Sequence, residues 1–519
     1  MKNINFKVIF NLIGMLMLIN AIFMLLCVIV SLIYRENIFL PMLFSSFITA
    51  GFGAICYFGT KNAHKKLNRR DGYLIVGTGW IFLILSGSLP YFLSLPYLSP
   101  QVFLRNDITV TNLFFETIAG YTTTGATIFQ DVEVLPKGIL FWRSMTQWIG
   151  GMGIIVLTIA ILPLLGIGGM QLFVVEAPVI SADKIHPRIT DTAKRLWMVY
   201  VILTLCQIFF LYIAGMGWFD AINHSLTTLS SGGFSTKNIS TSYWNSFPAI
   251  QYIIMFFMFL SGVNFVLNHF LLKGDLKKMF RNEEFRWYLG IIVLTSITIG
   301  LIVLFFVNPL EHSIPDTQLT SAGNYSAEQS FRASFFQVIS TISSTGFTSA
   351  NYTQWTPFVS MIFFALLFVG GSAGSTSGGV KVIRHVILLK NSVLELKRLI
   401  HPNAVLPVRY NKKSISQNIV YNILAFFVMY MFIWIASSII LALINEGLNP
   451  GYAEFISAMS LSASSLGNIG SALGEYGPTD SMANLTPLAK WFCAFLMILG
   501  RLELFAILIL FTPFLWKSN

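Results

Sequence analysis

The sequence predicts an all-α polytopic membrane protein: two N-terminal transmembrane helices, then four repeats of a span, a half-length re-entrant segment and a returning span, gathered around one axis. Three observations carry that prediction. Of 519 residues, 55% are hydrophobic and 11% charged, with mean hydropathy +0.71, so lipid rather than water must solvate most of the chain. Apolar runs of about 20 residues, the length that a hydrocarbon core roughly 30 Å thick requires, recur along it, giving ten full spans. One short Ser/Thr/Gly pattern recurs four times between them.

The first run, 6–33, has no small-residue cleavage site and further spans follow it, which marks a retained helix rather than a signal peptide. With the run 38–58 it forms a leading unit, 1–66. The four repeats then occupy 67–185, 186–280, 281–400 and 401–519. Loops after alternate spans collect the cations: Lys61, Lys65, Lys66, Arg69 and Arg70; Lys184, Arg188, Lys194 and Arg195; Lys273, Lys277, Lys278, Arg281 and Arg286; and the stretch from Lys381 to Lys413. The opposite loops hold Asp107, Asp131, Glu133, Asp220, Glu311, Asp316, Glu446, Glu475 and Asp480. Basic loops stay in the cytoplasm, so both termini, with Lys2, Lys7 and Lys517, are placed inside. The net charge of +11 is therefore a topology signal and not a nucleic-acid surface, because no single basic domain collects it. Cys27, Cys56, Cys206 and Cys493 fall singly within apolar runs, without the spacing of a disulfide framework or a metal site.

The recurring pattern reads TTTGAT (122–127), SSGGFST (230–236), SSTGFTS (343–349) and SSLGNIG (464–470). Aligned on Gly125, Gly233, Gly346 and Gly467, the copies are 108, 113 and 121 residues apart. The segment before each, roughly 11 to 14 residues, covers about half a membrane at helical rise, so it must enter and stop. Irregular backbone at that depth survives only where protein buries it or water reaches it, since an unsatisfied peptide group in hydrocarbon costs several kcal/mol. The four loops are therefore expected to meet around one axis. There, glycine permits a positive φ that turns successive carbonyls inward, and rings of carbonyls replace an ion's hydration shell. The C-terminal ends of the half helices add partial negative charge. A small monovalent cation is the expected ligand, held by Thr123, Thr124 and Gly125; Ser231, Gly232 and Gly233; Ser344, Thr345 and Gly346; and Ser465, Leu466 and Gly467. Glu116, Asp220, Glu328 and Glu454, near the starts of the half helices, are expected to concentrate cations at the mouth. WIGGMG, with Gly150, Gly151 and Gly153, reads as a close helix contact without an ion role.

Two features lie in the returning spans. GGSAGSTSGG (370–379) is too flexible and polar to stay a continuous membrane helix. Its Gly370, Gly371, Gly374, Ser375, Gly378 and Gly379, with Lys381 just after, are read as a loop that closes the path beneath the filter and moves to open it. In GRLELF (500–505), Arg501 sits about ten residues into an apolar run, where facing lipid would be costly. It is expected to face the pore as a fixed positive charge, with Glu503 or the loop carbonyls as compensation.

Taken together, FFETIAGYTTTGAT, WRSMTQWIGGMGIIVL, SSGGFST, STGFTSANY, GGSAGSTSGGVKV, SSLGNIG and GRLELF, in that order, closely resemble the Trk/Ktr/HKT family of potassium transport subunits, in particular the TrkH type of bacterial Trk systems, which also carries two extra N-terminal helices. The resemblance covers nearly the whole chain. It implies four membrane-pore-membrane repeats in pseudo-fourfold arrangement around one ion pore, K⁺ as the transported ion, and a bacterial cytoplasmic membrane location. It implies filter glycines at Gly125, Gly233, Gly346 and Gly467, an intramembrane loop at 370–379 and a pore arginine at Arg501. Plant relatives that carry serine at the first filter position transport Na⁺, so glycine at 125 points to K⁺. Many relatives read Gly-Pro after the fourth filter glycine, whereas Gly470 here precedes Ser471. A homodimer and a ring of cytoplasmic nucleotide-binding regulatory subunits of TrkA type are also implied. The chain itself has neither a Walker A pattern nor a GxGxxG after a strand. Two rival readings remain: a cation-coupled symporter with alternating access, which normally shows two repeats rather than four, and a membrane enzyme built on His224 or His269, which no HExxH, paired-carboxylate or nucleophile-elbow spacing supports.

Overall fold

The computed structural model describes residues 4–61, 69–156, 189–307, 326–445 and 452–516. Of the charged loop residues read above, Lys2, Lys65, Lys66, Lys184, Arg188, Glu311, Asp316, Glu446 and Lys517 lie outside the described residues. Two long apolar helices open the chain, α1 (Phe6–Ile33) and α2 (Phe39–Gly59). They cross where glycine faces glycine: a Cβ on Gly14 would stand 2.7 Å from Gly53 O, and one on Gly53 would stand 3.0 Å from Gly14 O. Close backbone approach through small residues is how membrane helices gain packing without a hydrophobic drive between them.

The first repeat runs through α3 (Arg69–Ser94), a short α4 (Pro100–Arg105), the half helix α5 (Val110–Tyr121) and the returning α6 (Lys137–Val156). Polar pairs fasten it to α1. Tyr121 Oη donates to Asn20 Oδ1 at 2.9 Å, and Asn20 Nδ2 donates to Ser86 Oγ at 3.0 Å. The second repeat comprises α7 (Ile189–Ile213), the half helix α8 (Trp218–Leu229), and a return broken into α9 (Pro248–Ser261) and α10 (Phe265–Leu272). After the short α11 (Leu276–Arg281), the third has α12 (Glu283–Phe306), the half helix α13 (Ala327–Ile342), and α14 (Pro357–Leu366) separated by loop from α15 (Val382–Ile400). A two-residue hairpin, Arg409–Tyr410 against Lys413–Ser414, leads into the fourth. That repeat has α16 (Gln417–Asn445), the half helix α17 (Tyr452–Gly467), α18 (Pro487–Arg501), α19 (Phe505–Leu508) and α20 (Pro513–Trp516).

Among the described residues, six helices are long and apolar enough to cross a membrane, or up to eight if each bent pair is one span. The half helices are 12, 12, 16 and 16 residues long. The sequence singles out one interrupted return, in the third repeat, but the second and fourth are broken too: α9 and α10 meet at 119°, and α18 meets the segment 505–511 at 108°. Side-chain amides satisfy the backbone freed at the first bend. Asn264 Oδ1 accepts from Val266 N at 2.8 Å and its Nδ2 donates to Ala373 O at 2.6 Å, while Asn268 Nδ2 donates to Leu260 O at 2.8 Å. A break at this depth is tolerable only because those partners exist.

Candidate functional site

Each half helix ends in the same turn. Two successive amides fold back onto one carbonyl of the last helical turn: Thr124 N and Gly125 N onto Ala119 O, Gly232 N and Gly233 N onto Thr227 O, Thr345 N and Gly346 N onto Ser340 O. The fourth loop repeats the first of these bonds, from Ile469 N to Ser464 O at 3.0 Å. With the donors turned back onto their own helices, the carbonyls of the loops are left for other partners. Backbone handedness alternates through the turn. Thr123 (φ 52°) and Gly125 (79°) are left-handed, as are Ser231 (56°) and Gly233 (79°), Ser344 (53°) and Gly346 (77°), and Asn468 (53°) and Gly470 (93°). Left-handed backbone in a threonine or serine is uncommon and clusters at functional sites.

The four turns form a closed ring. A Cβ on Gly125 would overlap Gly232 O, one on Gly233 would overlap Thr345 O, one on Gly346 would overlap Ile469 O, and one on Gly470 would overlap Thr124 O. Each loop thus packs its glycine Cα against the next loop's carbonyl, in the order one, two, three, four and back to one. Only glycine fits, for reasons of both φ and space.

The ring corrects the expected register of the fourth loop. Ser465, Leu466 and Gly467 lie in the last turn of α17, and Asn468, Ile469 and Gly470 occupy the places of Thr123, Thr124 and Gly125. The half helix continues about one turn further than an alignment on Gly467 assumes, and Gly467 keeps a backbone without positive φ. The constant five-residue interval from acceptor carbonyl to loop amide (119 to 124, 227 to 232, 340 to 345, 464 to 469) is the signal that separates the two registers. Gly470→Ala is accordingly expected to cut transport by roughly tenfold or more, since a left-handed non-glycine residue costs about 1–2 kcal/mol before any clash. Gly467→Ala, whose Cβ would meet nothing nearer than Ile469 Cδ1 at 3.1 Å, should stay within about twofold of the parent. Ion uptake by cells expressing the two variants at equal levels separates them; the reverse ranking would restore the earlier register.

A vestibule of about 250 Å³ opens on one side of the ring and is lined by all four ring glycines, together with Arg143, Lys237 and Asp480. It is less acidic than the sequence suggests. Glu116 is fully buried behind the first loop and paired with Arg143 at 2.8 Å. Asp220 accepts from Thr236 Oγ1 at 2.6 Å, and Glu328 lies beside Arg332 at 2.9 Å. The side chain of Glu454 lies outside the described residues. On the outer loops, burial opposes ionisation of Asp131, but the Asn238 amide and the Arg105 guanidinium outweigh it and hold the carboxyl below its usual range. Burial instead raises the Asp480 carboxyl, only partly offset by the backbone N–H of Gly477. His224 packs against Trp244 and Phe347, with Nδ1 2.8 Å from Asp220 O and Nε2 3.0 Å from Ser235 Oγ.

The glycine-rich segment of the third repeat lies on the other side of the ring and touches the second, third and fourth repeats. Ser231 Oγ meets Thr376 Oγ1 at 2.9 Å, and Gly378 N donates to Ser344 Oγ at 2.6 Å, so the left-handed residues of loops two and three are tied to it directly. Gly378 has no room for a Cβ beside Gly467 O. Gly370 and Gly371 bond Val380 and Val382 across the segment's own neck, Gly374 O accepts from Phe265 N, Ser375 Oγ meets Ser377 Oγ, Gly379 takes φ 68°, and Lys381 Nζ reaches Ser377 O. Arg501 supplies the link to the first repeat: Nη1 donates to Thr376 O at 2.9 Å and Nη2 to Gly150 O at 3.1 Å. It is 2% exposed, so it does not snorkel to an interface. The helix does not continue past it; α18 ends at Arg501, and Glu503 and Leu504 take φ of 56° and 53°. Glu503 pairs with Arg384 at 2.7 Å, leaving Thr376 O of the glycine-rich segment and Gly150 O of α6 as the partners of Arg501. Gly150 and Gly151 allow close contact with Tyr121 O and Ser230 Cα, whereas Gly153 faces open space.

The model of the TrkH cation transport protein family matches residues 40–518. The chain belongs to the TrkH family. It is 39% identical to the Trk system potassium uptake protein TrkH of Salmonella typhimurium and 38% identical to that of Escherichia coli K12, over 99% of this chain and 100% of each relative. The crystal structure of the potassium transporter TrkH from Vibrio parahaemolyticus superposes with a TM-score of 0.83 at 36% identity, covering 99% of this chain and 100% of that one. A TrkH-family chain is a transport protein and not an enzyme, which leaves His224 and His269 without a catalytic reading.

Proposed function

We propose that this TrkH-family chain takes up K⁺ across the bacterial cytoplasmic membrane, through a filter formed where its four loops meet. The observation that carries the reading is the closed ring of glycine-to-carbonyl contacts, which puts four left-handed turns and their oxygens around one axis. Carbonyl oxygens replacing a hydration shell select a weakly hydrated monovalent cation, and the relatives bear the name of potassium uptake proteins. The filter then comprises Thr123–Gly125, Ser231–Gly233, Ser344–Gly346 and Asn468–Gly470. The segment 370–379 with Arg501 is the gate, held shut in this arrangement by its bonds to Ser231, Ser344 and Gly150. The four repeats bounded near residues 67, 186, 281 and 401, internal termini, a homodimer and a cytoplasmic TrkA-like nucleotide-binding ring complete the proposal by family resemblance.

Reconstituted vesicles test it. Uptake of K⁺ or Rb⁺ down its own gradient, with Na⁺ excluded and no second ion gradient, is expected. Uptake that requires an imposed H⁺ or Na⁺ gradient would replace the pore by a coupled symporter.

A further inference from the structure

We infer that Glu116 and Arg143 are positioning residues of the filter, a buried ion pair that sets the spacing between the first and second loops and with it the discrimination between K⁺ and Na⁺. The inference rests on the filter reading above and assigns that site two residues which touch no ion themselves.

The pair sits behind the loops and bonds to both. Glu116 Oε1 accepts from Arg143 Nε at 2.8 Å, and Glu116 Oε2 accepts from Ile128 N at 3.0 Å, three residues beyond Gly125. Thr127 Oγ1 donates to Glu116 at 3.1 Å and lies 3.1 Å from Arg143 Nη2. Arg143 Nη1 then crosses to the second repeat and donates to Ser235 O at 3.1 Å, two residues beyond Gly233, with the guanidinium over the Phe234 ring at 4.3 Å. One helical turn on, Gln147 makes the same crossing, donating to Gly232 O at 2.8 Å and accepting from Phe234 N at 3.1 Å.

Position and chemistry both argue for placement rather than bulk stability. The residue nine before each ring glycine holds the outgoing strand in three loops: Glu116 before Gly125, His224 before Gly233 through Ser235, and Gln337 before Gly346 through Ala350 O at 3.0 Å. In the fourth loop that place is Leu461, and neighbouring Ser460 accepts from Leu473 N instead. Only the first clamp is ionic, and both its side chains are almost completely buried. Desolvating two charges commonly costs more than well-packed apolar residues would, so a buried ion pair is a poor means of holding a fold and a good means of fixing one geometry. A guanidinium fork also fixes direction in a way an ammonium does not.

Glu116→Gln and Arg143→Lys, each in the full chain reconstituted in vesicles and normalised to inserted protein, test this by competition between Rb⁺ and Na⁺. Each is expected to lower discrimination by roughly tenfold, the scale of one lost charge-assisted bond, and the double variant should lose little more than either single one. Thr127→Val, which removes only the bridging hydroxyl, covers the case in which a charge variant fails to insert; it should lower discrimination by a smaller factor. Total flux that falls with an unchanged ion ratio in every variant that inserts would reduce the pair to a structural role and overturn the inference. A parent protein that shows no preference for Rb⁺ would instead overturn the filter reading itself, and the parent measurement alone reveals that.

Discussion

Gly125→Ser is expected to lower the preference for K⁺ over Na⁺ by at least roughly tenfold, about 1.4 kcal/mol, while leaving the protein inserted. Two independent costs fall on the same atom. The backbone at Gly125 has φ 79°, a conformation that costs a side-chain-bearing residue about 1–2 kcal/mol, and the new Cβ overlaps Gly232 O. That oxygen cannot simply retreat. Gln147 Nε2 holds it at 2.8 Å, and the amide of Gly232 is fixed to Thr227 O at 2.8 Å. Either the first loop relaxes or the seam to the second widens, and both change the ring proposed to select the ion. A serine hydroxyl also adds a movable dipole beside the carbonyls, which favours a smaller, more strongly hydrated cation. Competition flux with Rb⁺ and Na⁺ reads the ratio. Gly153→Ala, a position with open space around it, serves as the control expected to behave as the parent. An unaltered ion ratio in Gly125→Ser would mean that this ring is not the selective element.

The ring was largely legible in the sequence because it rests on glycine, whose conformational role no other residue fills, and because four copies repeat it. Three of the four triads read from the sequence occupy the ring. The fourth slipped by three residues because the pair Ser464–Ser465 imitates the serines that precede the other glycines, while the helix carrying them continues to Gly467. Sequence pattern registers hydroxyls and glycines; it does not register where a helix stops. Longer-range pairings were less accessible. Glu116 looked like a mouth carboxylate because nothing in the local sequence announces Arg143, 27 residues on, as its partner. The breaks in the second and fourth returns escaped for a related reason. Ser261–Gly262 and Gly500–Arg501 are single small or polar interruptions in apolar runs, and it is tertiary partners such as Asn264 that make unwinding affordable there.

Arg501→Ala is expected to raise K⁺ flux by roughly tenfold or more, because it removes two charge-assisted hydrogen bonds, each worth about 1.5–3 kcal/mol. Those bonds join the segment 370–379, through Thr376 O, to Gly150 O of the first repeat. Without them the segment keeps its ties to Ser231 and Ser344 but loses its anchor across the path, so the open arrangement becomes easier to reach. A second effect acts in the same direction, since a fixed positive charge beneath the proposed filter would raise the barrier to each passing cation. Arg501→Lys separates the two contributions. Lysine retains the charge, but a single ammonium cannot span two carbonyls that the guanidinium fork reaches with different nitrogens. Both carbonyls already compensate part of the charge, so the tether is the larger contribution, and Arg501→Lys should conduct more than the parent while remaining below Arg501→Ala. Vesicle flux normalised to inserted protein orders the three. Flux from Arg501→Ala at or below the parent would show that Arg501 supports the conducting state, and the gate would then have to be sought elsewhere than in its bond to Thr376.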